Sequence, residues 1–227
     1  MAPGVARRLH VPRTLTDAAA DADAGADAAA DPAGQVAPNV ALTFDDGPHP
    51  EGTPAILAIL ARAGMTATFF LVGEQVERRP ALAAEIVAAG HAIALHGHRH
   101  RCQLRLTGAQ IAEDYRRGGA AVQDATGRAP ELHRPPYGVY SGEGLRQARA
   151  AGLRPLLWSK WGKDWRKFTT PERIAARATA ALAGGDVILL HDADFYSSRG
   201  SHERTAAALP IVIAELKRRE LGTVLLV

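Results

Sequence analysis

The chain has 227 residues, 47% hydrophobic and 22% charged, with a formal net charge of +3. That length can bury one sizeable core, so one main domain is expected. The basic residues are scattered in short pairs such as Arg116–Arg117 and Arg218–Arg219 without interleaved aromatics, too dilute for a nucleic-acid surface. Cys102 is the sole cysteine, which excludes an internal disulfide and a CxxC metal site, and no apolar run has the length of a transmembrane helix.

Residues 1–37 stand apart. Arg7–Arg8 are not followed by the apolar segment an export signal needs, so the sequence as given predicts a cytoplasmic protein. The tract from Asp17 to Gln35, DAAADADAGADAAADPAGQ, holds five aspartates and almost no large apolar side chain. Such a composition cannot offset its ordering entropy, so 1–37 is expected to be a disordered arm ahead of a folded domain over 38–227.

From Asn39 onward short apolar runs alternate with helix-like segments. Val40–Phe44 reads as a strand; Thr53–Pro54 then supply an N-cap and N1 proline for a helix that Gly64 ends. Ala67–Val72 is a second strand, followed by a helix over Pro80–Ala89, and Ala92–Leu95 is a third. Thr107 caps a long amphipathic helix running to Thr126–Gly127, after which come a short strand near Leu132–Arg134 and a helix near Gly142–Ala151. Strand Arg154–Trp158, helix Pro171–Leu182, strand Val187–His191, helix Arg204–Arg219 and strand Thr223–Val227 complete the order. This alternation predicts a parallel α/β sheet, and seven such strands predict closure into a barrel. No GxGxxG follows the first strand, which argues against dinucleotide binding.

The unusual polar residues gather at the C-terminal ends of these strands. The first strand runs into ALTFDDGPHP, where Asp45 and Asp46 repel each other at a cost that a nearby cation would relieve. His96, His98 and His100 follow the third strand, Arg134 the fourth, Trp158 the fifth with Asp164–Trp165 shortly after, and His191–Asp192 the sixth. That face is where βα barrels build active sites. A carboxylate and two imidazoles with an open position make a catalytic metal site, and His96 and His100, four apart, can converge on one ion with Asp46 or Asp45. His98, at the alternate spacing, is expected to be a surface histidine.

These residues also resemble a family. TFDDGP, the HxxxH within HGHRH, RPPYG at Arg134–Gly138, WSKWGKDW and LLH at Leu189–His191 look like the five ordered motifs of the polysaccharide deacetylases, the NodB-homology domain of carbohydrate esterase family four. The resemblance spans about Asn39 to Val227 and implies a distorted (β/α)7 barrel. It also implies that Asp45 is the catalytic base and Asp46, with His96 and His100, a metal ligand. Arg134 matches the arginine orienting the base, and the Tyr137 backbone N–H an oxyanion donor. His191 matches the general acid, held by Asp164, and Trp158, Trp165 and Leu189 match the walls around the acyl methyl. The implied cofactor is one divalent ion, Zn²⁺ by default, with Co²⁺, Mn²⁺ or Ni²⁺ as alternatives.

Three positions depart from the pattern: Gly97 stands where a loop-bracing Ser or Thr is usual, Leu95 where asparagine is common, and Trp161 where an acidic residue often sits. The segment Ala193–Arg204, with Phe195 and Tyr196, is longer than the family's usual short loop and is expected to overhang the pocket. The reading is a metal-dependent hydrolase, acting as a monomer, that removes acyl groups from N-acetylated amino sugars or small amides. O-acetyl ester hydrolysis and a non-catalytic carbohydrate-binding barrel are the alternatives.

Overall fold

A computed structural model of the chain describes residues 10–23 and 39–226. Seven strands form one curled sheet: β1 (Asn39–Asp45), β2 (Thr68–Leu71), β3 (Ala92–Leu95), β4 (Leu132–His133), β5 (Arg154–Pro155), β6 (Lys160–Trp161) and β7 (Val187–His191). Their order is β5-β4-β3-β2-β1-β7-β6, and an eighth, β8 (Gly222–Thr223), pairs with the start of β1. Every ladder between named strands is parallel. Among the described residues no ladder joins β5 to β6, so the barrel is open on that side. The expected distorted barrel is the fold observed.

Helices wrap the sheet: α1 (Leu15–Asp23), α2 (Gly52–Ala63), α3 (Gly73–Arg78), α4 (Pro80–Ala88), α5 (Gly108–Thr126), α6 (Gly142–Ala150), α7 (Pro171–Ala178) and α8 (Ser201–Arg218). Thr107 caps α5 through a capping box with Gln110, and Gly127 closes that helix at φ 71°, where L residues are disfavoured. Strand alternation divides the core into two layers. Val40, Leu42 and Phe44 of β1, Phe69 of β2 and Ile188 and Leu190 of β7 pack outward with the helices. Ala41, Phe70, Ala94, Val187 and Leu189 face inward with Trp158. The same period carries Thr43, Asp45 and His191 to the inner side, at the end of their strands.

Four expectations need correction. The fifth strand is two residues long, not Arg154–Trp158: Pro155 has no N–H to continue a ladder, and Leu157 instead donates to the Pro12 carbonyl at 2.9 Å. Lys160–Trp161 then form a separate strand on the opposite edge. The last strand covers Gly222–Thr223, and Val227 lies outside the described residues. Helix α2 begins one residue before Thr53, whose hydroxyl accepts from His49 N at 2.7 Å and donates to Asp192 rather than capping the helix. Finally, residues 10–23 of the expected disordered arm are built into the domain. Val11 is buried, Thr14 bridges to Asp186, and Arg13 Nε donates to the Trp158 carbonyl at 2.9 Å, so this segment ties the β5 side of the opening to β7. The remainder of 1–37 lies outside the described residues.

Candidate active site

The strand ends surround a cavity of about 290 Å³. Asp45, Asp46, His96, His100 and His191 form its polar floor, and Tyr137, Trp158, Trp165 and Leu189 belong to its walls. Arg134 and Asp164 lie behind it, both fully buried. All eleven residues singled out in the sequence therefore fall at one site.

Asp46 follows β1 with φ 82°, a left-handed conformation costly for a non-glycine residue and a mark of functional constraint. Its Oδ1 is buried without a hydrogen-bond partner and lies 3.4 Å from Nε2 of both His96 and His100. Ligands at the ~2.0–2.1 Å bonds of a tetrahedral zinc site stand about 3.3–3.5 Å apart, so these three atoms fit one divalent ion. The tautomer of His96 fits too. Its Nδ1 lies 2.8 Å from the Arg134 carbonyl, which can only accept, so Nδ1 carries the proton and Nε2 offers a lone pair. Burial lowers the His100 pKa to about 4, which keeps that ring neutral as ligation requires. Burial opposes ionisation of Asp46, but the adjacent His96 ring and the nearby positive charge of His191 outweigh it and bring the pKa to about 2.

Two ionisable groups beside this trio are supported from behind. Arg134 Nη1 donates to Asp45 Oδ1 at 2.7 Å, and the guanidinium also donates to Thr43 Oγ1 and the Leu156 and Leu157 carbonyls. It also stacks 3.9 Å over the Phe70 ring. A planar fork with several donors is suited to such a buried position. His191 Nδ1 donates to Asp164 Oδ1 at 2.9 Å, while Asp164 Oδ2 accepts from His191 N and Thr205 Oγ1. Burial disfavours the imidazolium, yet the charge and hydrogen bond of Asp164, then the charges of Asp46 and Asp45, raise the His191 pKa to about 10. His191 is therefore a proton carrier at neutral pH, and its Nδ1 is spoken for.

Two further residues, Trp161 and Tyr196, shape the cavity. Trp161 lines it between Trp158 and Trp165, with ring centroids 5.7 and 5.3 Å away, so it is wall rather than core. Tyr196 stacks on His100 at 4.2 Å and 7°, with its hydroxyl donating to Glu74 and accepting from Gln75. Phe195 turns away, onto His49 and under Arg79, so only half of the expected aromatic overhang reaches the pocket. The expectation that His98 is a surface residue is also corrected. It points away from the trio but is buried, with Nε2 3.0 Å from Glu77.

A second cluster, His49, Asp194 and His202, has the composition of a metal site. Its hydrogen bonds indicate otherwise. His49 Nδ1 accepts from the N–H groups of Glu51 and Gly52, which leaves the proton of the neutral ring on Nε2, facing Asp194 Oδ1 at 3.4 Å. The cluster ties the loop after β7 to the segment after β1. Loop residues this far apart in sequence gave no signal of pairing.

A parallel half-barrel thus carries an Asp–His–His trio whose donor atoms could hold a metal ion, beside two supported ionisable groups. The chain belongs to the polysaccharide deacetylase family, whose profile matches residues 34–156. A chitooligosaccharide deacetylase of Bradyrhizobium sp. (strain ANU 289) is 34% identical over 188 residues, covering 80% of this chain and 85% of that protein. A peptidoglycan-N-acetylglucosamine deacetylase of Bacillus cereus is 33% identical over 184 residues, with 79% and 82% covered. The family 4 carbohydrate esterase from Streptomyces lividans, solved in complex with acetate, superposes with a TM-score of 0.74 at 31% identity, covering 82% of this chain and 91% of that one. No helix among the described residues is long and apolar enough to cross a membrane.

Proposed function

We propose that the chain removes acetyl groups from N-acetylated amino sugars by metal-assisted hydrolysis, with Asp46, His96 and His100 as ligands of one Zn²⁺. The observation that carries this reading is the pairing of Asp45 with Arg134 and of His191 with Asp164 beside the ligand trio. When bound, the ion polarises the acyl carbonyl and acidifies the attacking water. Asp45, oriented by Arg134, takes the proton of that water as it adds to the carbonyl carbon. The backbone N–H of Tyr137 donates to the oxygen that gains charge. His191 then delivers its Nε2 proton to the departing nitrogen, so the C–N bond breaks to a neutral amine and acetate. Trp158, Trp165 and Leu189, joined by Trp161, hold the acyl methyl and exclude water.

Tyr196 narrows the cavity beside His100, which favours short acylated sugars over polymer. The test is metal content of the purified protein together with acetate release from N-acetylglucosamine oligomers, polymeric chitin and O-acetylated xylan. Stoichiometric metal with release from the short amides is expected. Release from the O-acetyl ester alone would replace the amide reading with an esterase, and metal without any release would leave a binding barrel.

A further inference from the structure

The turn between His96 and His100 carries both imidazoles of the proposed metal centre, yet Gly97 gives it no hydroxyl to brace itself. Its backbone is nevertheless tied on both sides. The carbonyls of Gly97 and His98 each accept, at 2.9 Å, from the N–H groups of Gly73 and Glu74 at the start of α3. The N–H groups of His98 and Arg99 both donate to one side chain, Asp114 on α5, at 2.8 Å to Oδ2 and 3.3 Å to Oδ1. Arg101 Nη2 adds a charge-assisted bond to Oδ1 at 2.8 Å.

Two glycines make this grip possible. A Cβ on Gly118, one turn beyond Asp114, would stand 2.9 Å from His98 N, so only glycine lets α5 lie this close to the turn. Gly97 has φ 84°, and a Cβ there would stand 2.8 Å from Asp114 Oδ2. The carboxylate occupies the space a side chain at 97 would need.

We propose that Asp114 is the positioning residue of the metal centre: by holding the two peptide N–H groups between His96 and His100 it fixes the spacing of their imidazoles, in place of a hydroxyl at 97. The inference rests on the reading of Asp46, His96 and His100 as ligands. A carboxylate suits the task because each of its oxygens accepts, and its charge strengthens both bonds. An amide in its place keeps one acceptor and turns an N–H₂ toward the other N–H. A helix–loop contact with no bearing on the metal would affect melting temperature alone. A positioning role moves metal affinity as well.

The experiment measures Zn²⁺ affinity of the full chain by chelator competition, with the melting temperature of the metal-free protein alongside. Asp114→Ala and the isosteric Asp114→Asn are each expected to weaken Zn²⁺ binding by about 10–100-fold, with kcat/KM recovering at saturating Zn²⁺. Arg101→Ala, which leaves the backbone grip intact, is expected to stay within about threefold of the wild type. Gly97→Ser should weaken binding more in the wild type than in Asp114→Ala, since backbone strain is common to both and only the clash differs. Should Asp114→Ala fail to fold, Asp114→Asn decides. Affinity of Asp114→Asn within about threefold of wild type, beside tight wild-type binding, overturns the role of Asp114 alone. Wild-type protein that binds no Zn²⁺ overturns the metal centre and this inference together.

Discussion

Replacing Asp164 with asparagine tests the acid side of the site most sharply. Asp164 is fully buried, and its three hydrogen bonds divide unequally: Oδ2 accepts from His191 N and Thr205 Oγ1, and Oδ1 from His191 Nδ1. Asparagine can keep its oxygen where two donors meet only by turning its N–H₂ toward His191 Nδ1, which must then accept. The ring loses both the neighbouring charge and the donor role that hold its proton. The interval from the ordinary 6.5 to about 10 corresponds to ~5 kcal/mol of preference for imidazolium at about 1.4 kcal/mol per pH unit. A divalent ion close by trims this figure, leaving an effect on the order of 2–4 kcal/mol, or about 30-fold to 10³-fold in rate at neutral pH. In the variant, burial acts unopposed by Asp164, so the alkaline limb of the kcat/KM profile should move down toward 6.5 or below. The same sign governs stability. A raised folded-state pKa stabilises fully below about 6.5 and is lost as pH rises through about 10, so the metal-free wild type should soften across that window and the variant should not. Kinetic profiles and urea titrations from pH 5.5 to 10, a range chosen to bracket those values, measure both. An alkaline limb that does not move refutes the pairing as the source of the acid.

The other expectations concern the metal, the base and the pocket mouth. His96→Ala and His100→Ala should each lose stoichiometric metal in elemental analysis while His98→Ala keeps it, because His98 faces Glu77 and not Asp46. Loss of metal from His98→Ala alone would contradict the ligand assignment. Asp45→Asn should keep metal and fold but lose about 10²–10⁴ in kcat, as removal of a general base does. Its melting temperature should also drop, since Arg134 remains buried without its counter-ion. Tyr196→Ala removes the wall stacked on His100 and should raise acetate release from polymer relative to short oligomers. An unchanged ratio would show that the wall does not select substrate length.

Much of the fold was legible because strand and helix carry different periods and the breaks were punctuated. Thr107 and the glycines at 64 and 127 marked helix ends that the structure keeps. What sequence could not give was the fate of short polar connections. Arg154–Trp158 reads as one strand, but Pro155 removes a donor, and the N-terminal residues Pro12 and Arg13 take up the freed groups. The order of residues 10–23 was hidden for the same reason. An Ala/Asp-rich composition lacks the apolar area to fold alone, and nothing in it discloses that Val11 and Leu15 find a core already built.

The site shows the same division. Strand-end position gathered nine of the eleven residues, because every parallel strand delivers its last side chains to one face, and the family motifs supplied Tyr137 and Leu189. Position alone, however, does not separate a ligand from a neighbour of similar type. His96 and His49 both follow strand ends, and both face an aspartate at 3.4 Å. What separates them is the partner of the far nitrogen. At His96 a carbonyl accepts from Nδ1–H and leaves Nε2 free to bind a cation, whereas at His49 two backbone N–H groups donate to Nδ1 and leave Nε2 protonated. The carbonyl belongs to Arg134, the residue that also orients Asp45. One buried arginine thus sets the tautomer of His96 with its backbone and the direction of Asp45 with its side chain, which couples the two halves of the site through a single position.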